Sequence, residues 1–297
     1  MEYLVLDIGG SAIKYAVMDE ETNFILKDKV PTPRDSKESF IKAVLDLYDK
    51  VKDRVNGIAI SMPGVIDSRT GYAYSGGALE YLDKTNIVDL FSKYCDKKIT
   101  IENDGKCAVK AEYWIGSLKG CENAATIVLG TGVGGGIISN GKILKGNHFS
   151  AGEFSFIKTN IDQPESADNV WCMKNGNNIL CRKLAAKKNI DIKEMDGIKF
   201  FELANNKDSE ALEVLNEFCK NLCVEIFNVQ TILDCEKISI GGGISAQPIL
   251  FEYIKKNMDE MYDEFDFTCP IVMAEIVPST YRNDSNLIGA LYTYLYE

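Results

Sequence analysis

The chain has 297 residues, of which 45% are hydrophobic and 26% are charged, a composition typical of a soluble globular protein. Lysine and arginine total 33 against 44 aspartate and glutamate residues, so the net charge is −11. This acidic balance argues against a nucleic-acid partner, which needs a basic face. No apolar run has the length that a membrane span requires, and the chain length favours two domains.

Nine cysteines are scattered along the chain, and none forms a C-x-x-C pair. The sequence therefore carries neither a dithiol redox motif nor a zinc ribbon. We interpret the cysteines as small buried hydrophobic residues in a reducing compartment, and we expect the protein to be cytoplasmic.

The first 62 residues predict an α/β domain. Strands over 3–8 and 12–18 pair around a Gly9-Gly10 turn, and a third strand covers 24–30. Apolar spacing predicts an amphipathic helix over 36–51, and a buried strand over 57–62 follows it. Strands followed by a helix and a further strand are typical of this fold class.

A strand over 99–102 followed by a helix over 105–114 places Asn103 and Asp104 at the carboxyl end of the strand. Open α/β sheets bind their ligands at that edge. A simple helix N-cap is the alternative interpretation of the Asn-Asp pair. We favour a functional role because the pair lies between two glycine-rich turns.

The second glycine-rich turn, Gly130 to Gly136, again joins two apolar strands, which suggests a duplicated fold. Residues 159–178 read as a polar loop, and most of 177–264 reads as helical. A strand over 237–240 interrupts these helices and runs into Gly241-Gly242-Gly243. A final helix over 286–296 is expected to pack back on the first domain.

The two glycine turns suit phosphate binding, because glycine lets the backbone approach an anion and successive N–H groups form an anion-binding concavity. Lys14 adds a cationic donor. Residues 136–142 nearly match a P-loop, but Ile143 stands where a hydroxyl must hold magnesium. The leading hypothesis is a nucleotide-dependent phosphotransferase.

Three further polar residues have two open interpretations each. Asp7 is either a buried structural acid or a carboxylate that organises Mg²⁺, directly or through water. Glu153 is either a surface acid or a partner for sugar hydroxyls. His148, the only histidine, is either exposed or in contact with a ligand, and without a G-x-S-x-G elbow it does not indicate a hydrolase.

These motifs, in this order, resemble the ROK family of sugar kinases in the actin–hexokinase–Hsp70 ATPase superfamily. Residues 7–14 are similar to the first phosphate motif of the family, residues 130–136 to its second, and residues 241–244 to its adenosine motif. Residues 102–104 resemble the strand-end motif that carries the catalytic base, and residues 61–67 resemble the Pro-Gly loop near the sugar. The resemblance covers essentially the whole chain.

The resemblance implies a specific set of site residues. The catalytic base would be Asp104. Sugar would be bound by Pro63, Gly64, Gly77, Asn103, Asp104 and Glu153. ATP phosphates and adenosine would be bound by Asp7, Gly9, Gly10, Ser11, Lys14, Gly130, Thr131, Gly132, Gly134, Gly242 and Gly243.

The chain departs from the family pattern at one place. Most members carry a Gly-Glu-x-Gly-His motif followed by a cysteine-rich zinc loop, whereas this chain reads Gly-Glu-Phe-Ser-Phe over 152–156. Phe156 stands at the histidine position, and Cys172 and Cys181 do not reproduce the spacing of zinc ligands. We therefore expect no zinc site.

The resemblance implies two ribonuclease-H-like domains with an interdomain cleft, a small one over 1–117 joined by 286–297 and a large one over 118–285. It implies ATP- and Mg²⁺-dependent phosphorylation of glucose, an N-acetylhexosamine or a glucoside at the 6-hydroxyl, by a homodimer. Two alternatives stay open. One is a non-catalytic sugar-sensing regulator, and the other is a superfamily kinase for another small hydroxylated or carboxylated substrate.

Overall fold

The computed structural model describes residues 1–265 and 269–297, and only the backbone of Asn177. The strands, in chain order, are β1 Glu2–Ile8, β2 Ala12–Asp19, β3 Phe24–Pro31, β4 Gly57–Met62, β5 Ile66–Asp67, β6 Tyr72–Ala73, β7 Thr85–Asn86, β8 Lys98–Asn103, β9 Ala124–Leu129, β10 Val133–Ser139, β11 Lys142–Ile143, β12 Lys237–Gly241 and β13 Glu275–Pro278. The helices are α1 Lys37–Asp49, α2 Ile87–Ser92, α3 Asp104–Ile115, α4 Cys172–Asn175, α5 Asn177–Lys187, α6 Gly197–Asn205, α7 Ser209–Leu233, α8 Pro248–Asp263 and α9 Ser285–Tyr296.

The chain forms two compact units. The first unit contains Met1–Lys119, Ile143–Gly152 and Asn283–Glu297, and the second contains Gly120–Lys142 and Glu153–Arg282. Residues 143–152, which the sequence analysis assigned to the large domain, thus belong to the first unit. Burial explains the difference, because Phe149 is only 5% exposed and packs on the ring of Tyr74 in the first unit.

The first unit is built on a five-stranded sheet in the order β3-β2-β1-β4-β8. β1 pairs antiparallel with β2 and parallel with β4. Side chains alternate across β1, as the period of a strand requires. Leu4 and Leu6 join the core that contains Phe40 of α1, whereas Tyr3 packs against the tilted ring of Tyr294 of α9 at 4.9 Å between ring centroids. The sheet is therefore covered on both faces, and β1 is buried almost along its full length.

The second unit repeats this plan with a sheet in the order β11-β10-β9-β12-β13. β9 pairs antiparallel with β10 and parallel with β12, which matches the pairing of β1 with β2 and β4. Its core combines the sheet with residues from α5, α6, α7 and α8. The predicted α/β class and the repeated glycine hairpin are both confirmed.

Helix boundaries follow local capping chemistry. Ser36 caps α1 by accepting the Ser39 N–H at 3.1 Å. Asp208 caps α7 through the Ala211 N–H at 3.0 Å, and that helix ends at Asp234 in the left-handed conformation.

The first unit also contains a small sheet of β5, β6 and β7 that was not predicted, because its strands are only two residues long. Among the described helices, none has the length and apolar character of a membrane span.

Candidate active site

Asp104 is the first residue of α3 and directly follows β8. Its Oδ1 atom accepts the Gly105 N–H at 2.8 Å and an Asn103 Nδ2–H at 3.2 Å. Burial, and secondarily the nearby negative charge of Asp7, raise the pKa of the Asp104 carboxyl. A carboxylate that is held in place and has a raised pKa is suited to accept a proton from a hydroxyl group.

Asn103 caps α3 and also links the start of this helix to the Pro63-Gly64 turn, which was predicted to bind sugar. Its Oδ1 accepts the Lys106 N–H at 3.0 Å, and its Nδ2 donates to the Gly64 carbonyl at 2.8 Å. Asn103 thus joins the start of α3 to the Pro63-Gly64 turn. The two interpretations of this residue are compatible.

The Pro63-Gly64 turn requires glycine. Gly64 has a φ of +104°, and a Cβ atom there would lie 2.1 Å from the Ser75 carbonyl oxygen. Gly77 also has a positive φ, of +59°, and its hypothetical Cβ would lie 3.0 Å from the Cβ of Pro63. Pro63, Gly64 and Gly77, which were all predicted to bind sugar, therefore lie together in the first unit.

Side chains from the segment after β3 hold the first glycine turn. Thr32 donates to the Gly9 carbonyl at 2.6 Å, and the Arg34 Nε–H donates to the Gly10 carbonyl at 2.8 Å. Ser11, next in the turn, is exposed. The Gly9 N–H donates to the Ala12 carbonyl at 3.0 Å. The N–H groups of Gly10 and Ser11 are therefore the ones that this turn can present to an anion.

Asp7 is 4% exposed and is surrounded by donors. Its Oδ2 accepts a hydrogen bond from Lys14 at 3.0 Å, and its Oδ1 accepts hydrogen bonds from Asn286 at 3.0 Å and Ser61 at 3.3 Å. These contacts do not fit direct coordination of Mg²⁺ by Asp7, because an ammonium group already lies against one oxygen and two donors share the other. Of the two predicted modes of metal contact, only the one through water fits this arrangement.

The second glycine turn lies at the start of β10. The Gly130 N–H donates to the Gly132 carbonyl at 3.0 Å, and Thr131 is exposed. The Cβ positions of Gly130 and Gly134 have room, with no atom of the described residues within 4 Å of the first and Val128 at 3.8 Å from the second. A Cβ on Gly132 would lie 2.9 Å from Ser155 Oγ, so a side chain there would have to displace the Ser155 hydroxyl.

The third glycine run combines a strained turn with an open one. Gly242 has a φ of +91°, and its hypothetical Cβ would lie 2.1 Å from the Leu129 carbonyl oxygen. Gly243 has open space at its Cβ position and lines a cavity of about 670 Å³. The cavity lies between this turn and helices α5 and α6, and its apolar lining includes Leu180, Cys181, Phe200, Phe201 and Ile244. A cavity of this size and character suits a planar aromatic group such as a nucleobase.

The remaining predicted residues lie after β11. Glu153, in the second unit, is half-buried at the start of a short 3₁₀ turn, whereas His148, in the first unit, is exposed. Phe156 is 72% exposed, whereas Trp171 is fully buried. Within the described ranges, no group of three or more His, Cys, Asp or Glu side chains is arranged to hold a metal ion.

Sequence reasoning missed several residues that shape these turns. Ser155 both accepts the Val133 N–H and donates to the Val133 carbonyl, each at 3.0 Å, and so fixes the end of the second glycine turn. Asn286 reaches Asp7 from a position 279 residues away. No local pattern reveals such contacts, because they depend on how distant segments pack.

Comparison with known proteins places these features in one family. The model of the ROK family matches residues 3–296. A beta-glucoside kinase of Listeria innocua is 29% identical over 300 residues, covering 100% of this chain and 98% of that protein.

Two solved structures give the same result. A ROK family protein from Streptococcus pneumoniae in complex with sucrose is 30% identical, with a TM-score of 0.87 and coverage of 99% of this chain and 98% of that chain. A ROK family glucokinase from Streptomyces griseus in complex with glucose and AMPPNP is 21% identical and has the same fold, with a TM-score of 0.85 and 98% coverage of each chain. The chain therefore belongs to the ROK family.

Proposed function

We propose that this chain is a sugar kinase that transfers the γ-phosphoryl group of ATP to the 6-hydroxyl of a hexose or hexose derivative. The observation that carries the proposal is the Asp104 carboxyl, held at the start of α3 with a raised pKa. The substrate class is glucose, an N-acetylhexosamine or a glucoside. The similarity to a beta-glucoside kinase over the full chain supports this class.

Asp104 acts as general base. Among the described residues, both hydrogen bonds that hold its carboxylate go to Oδ1, which leaves Oδ2 to accept the proton of the attacking hydroxyl. Phosphoryl transfer depends mainly on positioning and on electrostatic stabilisation. The base therefore needs a fixed orientation more than an extreme pKa.

Sugar is bound by the Pro63-Gly64 turn with Gly77, and by the side chains of Asn103 and Glu153. The hydrogen bond between Asn103 and the Gly64 carbonyl gives this turn a defined place relative to the base. Carboxylate and amide groups are suitable partners for sugar hydroxyls, because each hydroxyl both donates and accepts.

The donor is MgATP, which brings its metal with the phosphates. Gly9, Gly10 and Ser11, with Lys14 and Asp7, and the turn from Gly130 to Gly134 with Thr131 supply phosphate contacts. Asp7 contacts the hydrated metal through water. Adenosine is bound at Gly242 and Gly243 and enters the adjoining cavity.

A panel assay tests this function. Purified protein with MgATP is offered glucose, N-acetylhexosamines, β-glucosides, polyols and small hydroxy acids, and products are identified by ³¹P NMR. The proposal predicts turnover confined to sugars with a free 6-hydroxyl, and none with 6-deoxy analogues. Turnover only with acids or polyols would favour the superfamily alternative, and sugar binding without turnover would favour the regulator.

We also propose that the protein is a cytoplasmic homodimer that binds no nucleic acid and no zinc. The zinc prediction rests on Phe156, which is 72% exposed where relatives of the family carry a histidine. Elemental analysis after dialysis should find no stoichiometric zinc, and chelators should leave the melting temperature unchanged. About one zinc per chain, with unfolding on chelation, would contradict the prediction.

A further inference from the structure

Four charged side chains of the first unit form a closed ring of alternating sign beside the start of α3. Lys110 lies 2.7 Å from Glu102 and 2.9 Å from Glu297. Lys145 lies 2.6 Å from Glu297 and 3.2 Å from Glu102. We call Glu102, Lys110, Lys145 and Glu297 the ion ring.

The ion ring is saturated with contacts and largely buried. Each ammonium group has a third oxygen neighbour, Thr293 Oγ1 at 3.0 Å from Lys110 and Ser68 Oγ at 2.8 Å from Lys145. Each lysine makes two hydrogen bonds, Lys110 to Glu102 and Thr293, and Lys145 to Ser68 and Glu297. The third oxygen neighbour of each lysine is an ion-pair partner. The side chains of Glu102 and Lys110 are 0% exposed.

Both of these buried groups are charged at neutral pH. Burial alone would raise the pKa of Glu102, but the positive charges of Lys110 and Lys145 hold it below its ordinary value. Burial likewise opposes the charge of Lys110, yet Glu102 and Glu297 raise its pKa above its ordinary value. Glu102 is therefore held in the ring as a carboxylate, and Lys110 is held as an ammonium ion.

Burying such a ring brings little net stability, because desolvation offsets the attraction between the charges. Its position suggests another role. Glu102 immediately precedes Asn103-Asp104, and its second oxygen, Oε1, accepts the Asn103 N–H at 2.9 Å. The ring thus fixes the backbone and the side chain at the residue before the base-bearing pair.

The ion ring also connects that strand end to the segment Ile143–Gly152. Lys145 lies on this segment, and two residues after Asp104 the Lys106 ammonium donates to the Phe149 carbonyl at 2.9 Å. The segment is therefore fastened on both sides of Asn103-Asp104, before the pair through Glu102 and after it through Lys106. Phe149 is held further by Arg69, which lies 4.8 Å from its ring centroid.

We propose that the ion ring is a positioning device for Asp104, with Lys145 as the positioning residue that ties the segment 143–152 to the base-bearing strand end. The proposal rests on the role of Asp104 as base. Loss of the tie displaces the carboxylate, and a displacement of about 1 Å can cost about a hundredfold in rate.

Lys145→Gln tests the proposal, with Lys188→Gln as a matched control. Lys188 lies in the second unit, bridges two carboxylates at 2.8 and 2.7 Å, and has 21% side-chain exposure against 23% for Lys145. We expect Lys145→Gln to lower kcat about tenfold to a hundredfold, with the KM for ATP changed by less than about twofold. Lys188→Gln should lower the melting temperature similarly and leave kcat unchanged.

Glu297→Gln provides a second route if Lys145→Gln folds poorly, since it weakens the same ring from a partly exposed position. The double variant Lys145→Gln/Glu297→Gln should show no larger loss of kcat than the more impaired of the two single variants, because both substitutions break the same ion ring. A folded Lys145→Gln variant with kcat within about twofold of wild type would overturn the proposal, as would an equal loss in Lys188→Gln. The Asp104→Asn variant is assayed in parallel to distinguish failure of this positioning proposal from failure of the proposed function. If the proposed function is wrong, the Asp104→Asn enzyme will remain active.

Discussion

The two units share one sheet plan but bury very different side chains. The first unit buries Asp7, Asp67, Glu102, Lys106, Lys110 and Glu112. In the second unit, Glu225 is the one buried charged side chain among the residues described. Buried charges are costly to keep unless they are paired, so their concentration in one of two similar units indicates where the chemistry is organised.

The two hairpins show the same contrast at a single position. Asp7 on β1 is paired in register with Lys14 on β2 and Ser61 on β4. The corresponding residue of the second unit, Val128 on β9, is paired with Gly134 on β10 and Gly241 on β12. One copy thus carries a charged cluster, and the other carries an apolar residue flanked by glycines. We interpret the charged cluster of the first unit as organising catalysis. We interpret the glycine-flanked position of the second unit as a place where the nucleotide can come close to the backbone.

The largest expected effect concerns stability. Glu102→Gln removes the carboxylate that Lys110 and Lys145 share, and it should lower the free energy of unfolding of the first unit by about 3–5 kcal/mol. Glu225→Gln should be neutral or stabilising, because burial raises the pKa of Glu225 and its ionised form costs stability at neutral pH.

Denaturant unfolding can follow each unit separately, since Trp114 lies in the first unit and Trp171 in the second, and the chain has no other tryptophan. Replacing either tryptophan with phenylalanine leaves a reporter for one unit. Equal losses of unfolding free energy in Glu102→Gln and Glu225→Gln would contradict the proposed difference in buried charge between the two units.

The next effect is on nucleotide affinity. Gly130→Ala adds a methyl group where no described atom lies within 4 Å, so the fold should tolerate it. If phosphate approaches this backbone, the KM for ATP should rise about tenfold or more while the KM for sugar changes little. Gly132→Ala is a poorer test, because its Cβ would also meet Ser155. An unchanged KM for ATP in Gly130→Ala would assign this turn a purely structural role.

The smallest effect is a shift in pH dependence. Because burial and Asp7 raise the pKa of Asp104, the acidic limb of kcat/KM should lie above the ordinary aspartate value of about 3.9. Activity falls as the pH drops through that raised pKa, since the base must be deprotonated. The positive charge of Lys106 opposes the shift, so Lys106→Met should move the limb further upward. If the acidic limb of kcat/KM does not shift in Lys106→Met, a group other than Asp104 titrates there.

Much of the fold followed from local patterns, and much of the site did not. The glycine hairpins and the strand before Asn103 have strong turn chemistry or periodicity, and they form as predicted. The long helix α7 lies within residues 177–264, which were predicted to be mostly helical. The segment 143–152 was assigned to the wrong half because nothing in its sequence shows that Phe149 packs beside Tyr74. The ion ring was missed for a related reason, since its members come from positions 102, 110, 145 and 297 and only folding brings them together.

The central claim is that Asp104 is the base in a unit specialised for chemistry, and the Asp104→Asn variant tests it most directly. The measurement pairs kcat for sugar phosphorylation with the affinity for MgATP by calorimetry. The account predicts a loss of about two to four orders of magnitude in kcat, with the affinity for MgATP preserved. It also predicts stability at neutral pH equal to or above wild type, because the raised pKa makes ionisation of Asp104 costly in the folded state. A variant that kept more than about a tenth of the wild-type kcat would contradict the assignment.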